Sequence, residues 1–457
     1  MQPENLGLED NLADPVQALL TLPKVGEGVG LHRMLYFLDA LATEPWLNRL
    51  DSIRVTGSKG KGSVSAIAAE ILRHLGLRTG LYTSPHLLRF HERIRVDSEC
   101  ISSVELASAV NLVLGARDRL ERQRAGDRVG AFEVYTALAL QHFCARSVEA
   151  VVAEAGIGGR YDSTRVIPGR LVCLTSVELE HADLLGGSIE KIAYDKADLC
   201  CDGGCLVVGC IDPETLFRLR AYCQLRSIEI AEAARDSAIS RPTYSDHMMH
   251  FDLQCASMDF GRLSTPLLGE HQARNTAIAV LAVQRWLAGN RPDISGAALR
   301  KAVGAALRGI DWPGRLQRVS TEPEILLDVG HTPQSLRTVA VAVRQMYRDL
   351  PILLVTGVSI DKDIHGILAE LTPIASEVIC TRAYHKGAPE TVIEQCCRNL
   401  RPEMPCRAIA TIEQAVDTAR ERALTEGMTV VVAGGLFLAM EAFVHLRGSD
   451  PRQLRFF

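Results

Sequence analysis

Several absences each remove a class of protein from consideration. No apolar stretch in the 457 residues approaches the length of a membrane span, and the start, Met1-Gln2-Pro3-Glu4, leads into acidic residues ahead of any apolar run, unlike a secretory signal. There is no long block of Lys or Arg and the formal net charge is −5, so nucleic acid is disfavoured as a partner and a nucleotide is the better candidate anion. Internal repeats and low-complexity tracts are missing as well. Thirteen cysteines are present, but an odd number scattered along a long chain argues for reduced thiols and a cytoplasmic protein, not a disulfide framework. Cys200, Cys201, Cys205 and Cys210 lie close together without a C-x-x-C pair or a nearby His, so they read as core residues, with Leu206 to Gly209 a buried strand between the last two.

The composition, 47% hydrophobic and 23% charged, is that of a globular chain long enough for two or three domains. Its most informative stretch is Val55-Thr56-Gly57-Ser58-Lys59-Gly60-Lys61-Gly62-Ser63. The usual phosphate loop has a glycine six residues before its lysine and Ser or Thr directly after it. Here Val55 takes the first position and Gly62 separates Lys61 from Ser63, yet the chemistry survives the altered spacing. Gly57, Gly60 and Gly62 let backbone N–H groups approach an anion. Lys61 supplies a cation for the outer phosphates, and Ser63 offers a hydroxyl to Mg²⁺. Ile53 and Val55 predict a short buried strand before the loop. Val64, Ile67, Ala68, Ile71, Leu72 and Leu75 then predict a helix, stopped at Gly76, whose N-terminus faces the phosphates.

Strand-like runs alternate with helical patterns along the rest of the chain, the signature of parallel α/β units. Val151 to Ala155 and Leu171 to Val177 are predicted strands; they lead into Glu154-Ala155-Gly156-Ile157-Gly158-Gly159 and to Glu180-His181. Open parallel sheets place ligands at such strand ends. The Gly-x-Gly-Gly turn lacks the third spaced glycine of a dinucleotide site and reads as a close backbone passage beside substrate. The pattern breaks at Asp311-Trp312-Pro313-Gly314-Arg315, and a new α/β series begins at Ile325 to Asp328. Its helix carries Leu336, Val339, Ala340, Val343 and Met346 on one face, and strands follow at Ile352 to Thr356, Glu377 to Thr381 and Thr429 to Ala433. The expected domains are 1–316 and 317–457.

The motifs recur in the order found in one family. Gly30 to Met34, the Gly57 to Ser63 loop, Ser84-Pro85-His86, Glu92-Arg93-Ile94, Phe132-Glu133-Val134 and Glu154 to Thr164 come first. His181, Asp183 to Gly186, Asp195-Lys196-Ala197, His271-Gln272 with Asn275, Trp312 to Arg315, Asp328 with His331, and Asp361-Lys362-Asp363 follow. With these the chain resembles folylpolyglutamate synthase and dihydrofolate synthase, members of the Mur ligase superfamily. The resemblance implies a P-loop-type parallel-sheet ATP-binding domain followed by a smaller Rossmann-like α/β domain. It also implies ATP-dependent amide ligation, in which a carboxylate acceptor attacks the γ-phosphorus and the amine of an amino acid, L-glutamate, displaces phosphate from the acyl phosphate. ATP and Mg²⁺ are the implied cofactors, and a monomer the implied state.

Roles carried over by the resemblance fall on particular positions. Ser63, Ser84, Glu154 and His181 match the Mg²⁺ positions, and Lys196 matches a lysine that is commonly carbamylated, which would turn a cation into an anionic ligand. Asn275 matches an ATP-binding asparagine, and Arg315 an arginine that reaches the phosphates. Asp328 would accept from the ribose hydroxyls, while His331 would stand beside the acyl phosphate. A site split between the domains would close about residues 311–320 and exclude water. Three positions depart from the family pattern: Arg165 and Thr332 each stand for Asn, and Thr276 for Ala. Two alternatives to folate or dihydropteroate glutamylation follow, a diverged ligase acting on a non-folate carboxylate and a nucleotide-binding regulator that ligates nothing.

Overall fold

The computed structural model describes residues 13–456, apart from Gly28, Val29, Ala125 and Asp349. The N-terminal Met1 to Glu4 stretch lies outside the described residues. Two α/β units are arranged around two mainly parallel sheets. The first sheet has eight strands in the order Glu99–Cys100, Ile94–Val96, Thr79–Tyr82, Ala150–Glu154, Ser52–Thr56, Leu171–Ser176, Cys205–Cys210 and Glu229–Glu232. From Thr79–Tyr82 onward every pairing is parallel. Ser52–Thr56 sits near the middle with all five residues buried, as a strand covered on both faces requires.

The helix after the phosphate loop spans Lys61–His74 and buries Val64, Ile67, Ala68, Ile71 and Leu72, the predicted face. It ends at Leu75, where Gly76 takes a φ of 86°. On that side of the sheet it packs against Glu270–Asn290 and Gly296–Gly309.

Between the two parallel sheets in sequence comes an antiparallel sheet not foreseen in the sequence, formed by Met248–Cys255, Met258–Thr265, Thr243–Ser245 and Ser237–Ile239. Met249, Phe251, Leu253 and Cys255 point inward at every second position, the period of a half-buried strand.

The second α/β sheet has six strands in the order Gln317–Thr321, Glu324–Leu327, Thr429–Val432, Ile352–Thr356, Glu377–Cys380 and Cys406–Ala408. Only the first pair, a hairpin, is antiparallel. Its first helix, Pro333–Met346, starts at Thr332, whose hydroxyl accepts from the Ser335 N–H, and buries Leu336, Val339, Ala340 and Val343. These side chains belong to the same apolar cluster as Ala273, Ala277 and Val280 of Glu270–Asn290, so the two units share a packed boundary. Among the described residues no helix is long and apolar enough to cross a membrane. All thirteen cysteines are free thiols.

Candidate active site

The phosphate loop joins the central strand to its helix and is clamped onto the next strand. Ser58 N–H donates to the Ser176 carbonyl, and Lys59 N–H to the Ser176 hydroxyl, each at 2.9 Å. Gly57 has a φ of 140°, and a Cβ there would lie 2.0 Å from Thr175 Oγ1. Gly60 has a φ of 84°, and its Cβ would lie 2.7 Å from Asn275 Oδ1. Both positions therefore require glycine. Asn275 in turn is steered by its own amide, which donates to Gln272 Oε1 at 3.0 Å. Lys61 opens the helix and donates through Nζ to the Gly57 carbonyl at 2.8 Å. Trp312 packs against Gly62, and the Arg95 guanidinium lies 5.3 Å over the Trp312 ring.

The neighbouring parallel strands deliver oxygen donors to the same place. Val55 is in register with Glu154, so this carboxylate ends its strand one step from the loop. Glu154 is buried, and its Oε2 accepts from the Ser84 N–H at 3.2 Å. Burial raises its pKa, while Lys61, the Ser84 N–H and Arg315 oppose the rise. His181 stands in a left-handed turn with φ 48° just beyond the Leu171–Ser176 strand. Burial, ahead of Lys196 and Lys61, lowers its pKa, leaving the imidazole neutral at pH 7. Lys196 is only 2% exposed and its Nζ is 3.2 Å from Glu180 Oε1. Burial and then the charge of Lys61 lower its pKa.

The opposite wall comes from the hinge and the second sheet. A cavity of about 780 Å³ is lined by Gly60, Lys61, Gly62, Ser63, Ser84, Glu154, His181, Asn275, Arg315, Asp328 and His331, so most residues singled out in the sequence meet in one place. Gly57 and Lys196 do not line it. Gly57 supports the loop from behind, and Lys196 stands behind Glu180, which does line it. Arg315 forms no ion pair among the described residues. The Asp328 carboxylate ties hinge to sheet, accepting from Leu316 N–H at 2.8 Å and Gly330 N–H at 2.7 Å. Burial lowers the pKa of His331, whose Nδ1 lies 3.3 Å from the Val329 carbonyl.

Sequence reasoning missed Lys386, which lines the cavity together with Lys59 and Lys362. Its segment is held by Glu441, a side chain 1% exposed whose carboxylate accepts from Tyr384 N–H at 2.7 Å and His385 N–H at 3.0 Å. Burial pushes the Glu441 pKa up from 4.5 to about 7 against those two hydrogen bonds. The folded state therefore holds this proton more tightly than the unfolded chain. That stability is complete below the unfolded value and is lost as pH rises through the folded one, a change of about 3 kcal/mol. Glu441→Gln is expected to flatten this part of the pH dependence of thermal unfolding between pH 4.5 and about pH 7. An unaltered profile would show that the carboxyl does not titrate there.

None of the three departures from the family pattern lines the cavity, although Thr332 bonds to Ser335 and Thr276 follows Asn275, both of which do. Arg165 turns outward and donates to the Arg160 carbonyl at 2.7 Å, in a surface pocket with Asp198 and Arg226. Thr332 is the helix cap described above, a task Asn and Thr both perform. Thr276 is buried and donates to the Gln272 carbonyl at 2.8 Å.

Residues 127–283 match the Mur ligase middle domain and residues 314–436 the glutamate ligase domain of Mur ligases, which puts the chain in the Mur class of ligases. Within that class, it is 32% identical to the folylpolyglutamate synthase of Lacticaseibacillus casei, over 80% of this chain and 84% of the relative. The chain belongs to the folylpolyglutamate synthase family. The crystal structure of Mycobacterium tuberculosis folylpolyglutamate synthase complexed with ADP and AMPPCP superposes with a TM-score of 0.82 at 27% identity, covering 97% of this chain and 100% of that one. A folylpolyglutamate synthase–AMPPCP–folate complex superposes with a TM-score of 0.78 at 29% identity, covering 94% of this chain and 98% of that one.

Proposed function

We propose that this protein is an ATP-dependent ligase that joins L-glutamate to the carboxylate of a folate or dihydropteroate through an acyl phosphate. The observation that carries the reading is the convergence of Lys61, Ser63, Glu154, Asn275 and Arg315 on one cavity whose far wall holds His331, Lys362 and Lys386. Family membership and the ATP-analogue and folate complexes of relatives support it. Residues 1–316 and 317–457 are taken as its two domains, with the cavity between them.

Phosphoryl transfer needs positioning and charge neutralisation more than covalent help. Lys61 and the loop N–H groups hold the β- and γ-phosphates, Asn275 orients the nucleotide, and Asp328 accepts from the ribose. An acceptor carboxylate oxygen bonds to the γ-phosphorus as the bond to the β-phosphate oxygen breaks, releasing ADP. Arg315, permanently charged and able to reach two oxygens, stabilises the transferring group. The glutamate amine then adds to the acyl carbon, phosphate leaves with the electrons of the C–O bond, and the amine loses a proton. Neutral His331 is placed to take that proton, and Lys59, Lys362 and Lys386 to neutralise the carboxylates of the amino acid.

The donors near the loop fit a hard divalent cation. Glu154 is a buried carboxylate that accepts from the Ser84 N–H and lines the cavity with Ser63 and Ser84. His181 is the softer, neutral partner that a ligand imidazole must be. These four, with Lys196 as a carbamate beside Glu180, would hold Mg²⁺, which would supply charge neutralisation for the phosphates.

The test is ADP release from the purified protein over a panel of dihydropteroate, folates and unrelated carboxylic acids with L-glutamate. Turnover with the pterins and amide product by mass spectrometry are expected. Silence with every pterin but turnover with another acid would overturn the acceptor assignment, and silence with all would overturn ligation.

A further inference from the structure

Three cysteines far from the cleft meet in the core of the second sheet. Cys380 ends the strand Glu377–Cys380, Cys397 lies on the helix Glu390–Leu400, and Cys406 opens the edge strand Cys406–Ala408. The Cys380 sulfur is 3.9 Å from that of Cys397 and 3.5 Å from that of Cys406, and all three lie within 4.8 Å of one another. Cys380 and Cys397 are 0% exposed and Cys406 8%. Their S–H groups find each other as hydrogen-bond partners, and no His, Asp or Glu joins the group among the described residues.

These sulfur separations are close to what metal ligation needs. Three thiolates around one ion at metal–sulfur distances of about 2.3 Å sit about 4.0 Å apart in a trigonal plane. The donor set is all sulfur, three-fold and surrounded by apolar side chains such as Val378 and Ile393 of the same cluster. Soft thiolates of this kind select Cu(I) or Zn²⁺, but structural Zn²⁺ takes four protein ligands, and no fourth His, Cys, Asp or Glu joins the group among the described residues. We propose that Cys380, Cys397 and Cys406 form a binding site for one soft, thiophilic cation, Cu(I), bound through sulfur alone.

Two features of the surroundings suit such an ion. Arg398, whose Nη2 also pairs with Glu394 at 2.7 Å, donates through that nitrogen to the Cys406 carbonyl at 2.6 Å, so a guanidinium lies beside the cluster. Cys406 is also the most exposed of the three and lies on the sheet edge, where an ion can enter. Each copper–sulfur bond replaces one S–H bond, the proton passes to solvent, and no electron is transferred. The strand that Cys380 ends continues into Thr381 to Lys386, so a bound ion would brace the segment that presents Lys386 to the cavity.

The experiment is an anaerobic titration of the full-length protein with Cu(I) against a chromogenic Cu(I) chelator, with thermal unfolding followed in parallel. One equivalent should be bound through three sulfurs in the X-ray absorption spectrum, and the unfolding temperature should rise because the ion binds the folded state. Cys397→Ala and Cys406→Ser should each lose that equivalent and that rise, whereas Cys201→Ala, an exposed cysteine outside the cluster, should keep both. If Cys397→Ala fails to fold, Cys406→Ser at the rim decides. Unchanged stoichiometry in the folded cluster variants would overturn the site, and tighter binding of Zn²⁺ than of Cu(I) would overturn the choice of cation.

Discussion

Lys61→Ala is expected to lower kcat/KM for ATP by at least about 10²–10³-fold, the scale of removing one charged group from a developing phosphoryl transition state. Lys61 is the first residue of the helix and its ammonium already sits over the loop, 2.8 Å from the Gly57 carbonyl. The loop does not depend on it for shape, since Ser58, Lys59, Gly57 and Gly60 fix the backbone through Ser176, Thr175 and Asn275. The variant should therefore unfold at the parent temperature while losing turnover. Steady-state ADP formation with the acceptor and L-glutamate saturating is the measurement. Near-parental kcat/KM would show that the loop amides and Arg315 suffice to hold the phosphates, and would remove the central role given to this residue.

The loop was legible because phosphate binding is written locally. Strand, glycines, lysine and helix follow within some twenty residues, and each constrains the next through backbone geometry alone. Glu154 and His181 stood out because they follow apolar runs that read as parallel strands, while their part as metal ligands came only from the family resemblance. The link from Glu441 to Lys386 was not legible, because it joins a helix to a loop some fifty-five positions earlier and leaves no periodicity in either. The cysteine trio was hidden for the same reason. Cys380 and Cys406 come together through parallel strand pairing and Cys397 through the helix between those strands, whereas Cys200 to Cys210, close in sequence, drew the notice. The antiparallel sheet did leave a signal, the alternation Met249, Phe251, Leu253 and Cys255, which a search for parallel α/β units passes over. Arg165 shows the opposite error. It stands next to a turn knitted by Asp162, which accepts from the N–H groups of Gly156 and Thr164, yet its guanidinium leaves that turn for the surface.

Lys196 gives the second large effect and separates two readings of one contact. The 3.2 Å approach to Glu180 is an ion pair if the lysine stays an ammonium. Carbamylation requires instead that the neutral amine attack CO₂ and shed a proton, and a lysine 2% exposed beside the charge of Lys61 has its pKa lowered in that direction. The resulting anion would repel Glu180 unless a cation lay nearby, which the cavity on the far side of Glu180 provides room for. If the carbamate reading is right, Lys196→Ala should lose at least about 10²-fold in kcat, about 2.7 kcal/mol of transition-state stabilisation. Lys196→Glu, which restores a carboxylate near the same position, should recover part of that loss. Wild-type turnover should also fall when CO₂ and bicarbonate are removed, and more so at lower pH, where less neutral amine is available. An ion pair predicts the reverse order, because a glutamate facing Glu180 is worse than an alanine, together with indifference to CO₂. Comparing kcat for the two variants, with and without bicarbonate, therefore decides whether this buried lysine serves as a cation or as the anion it can become.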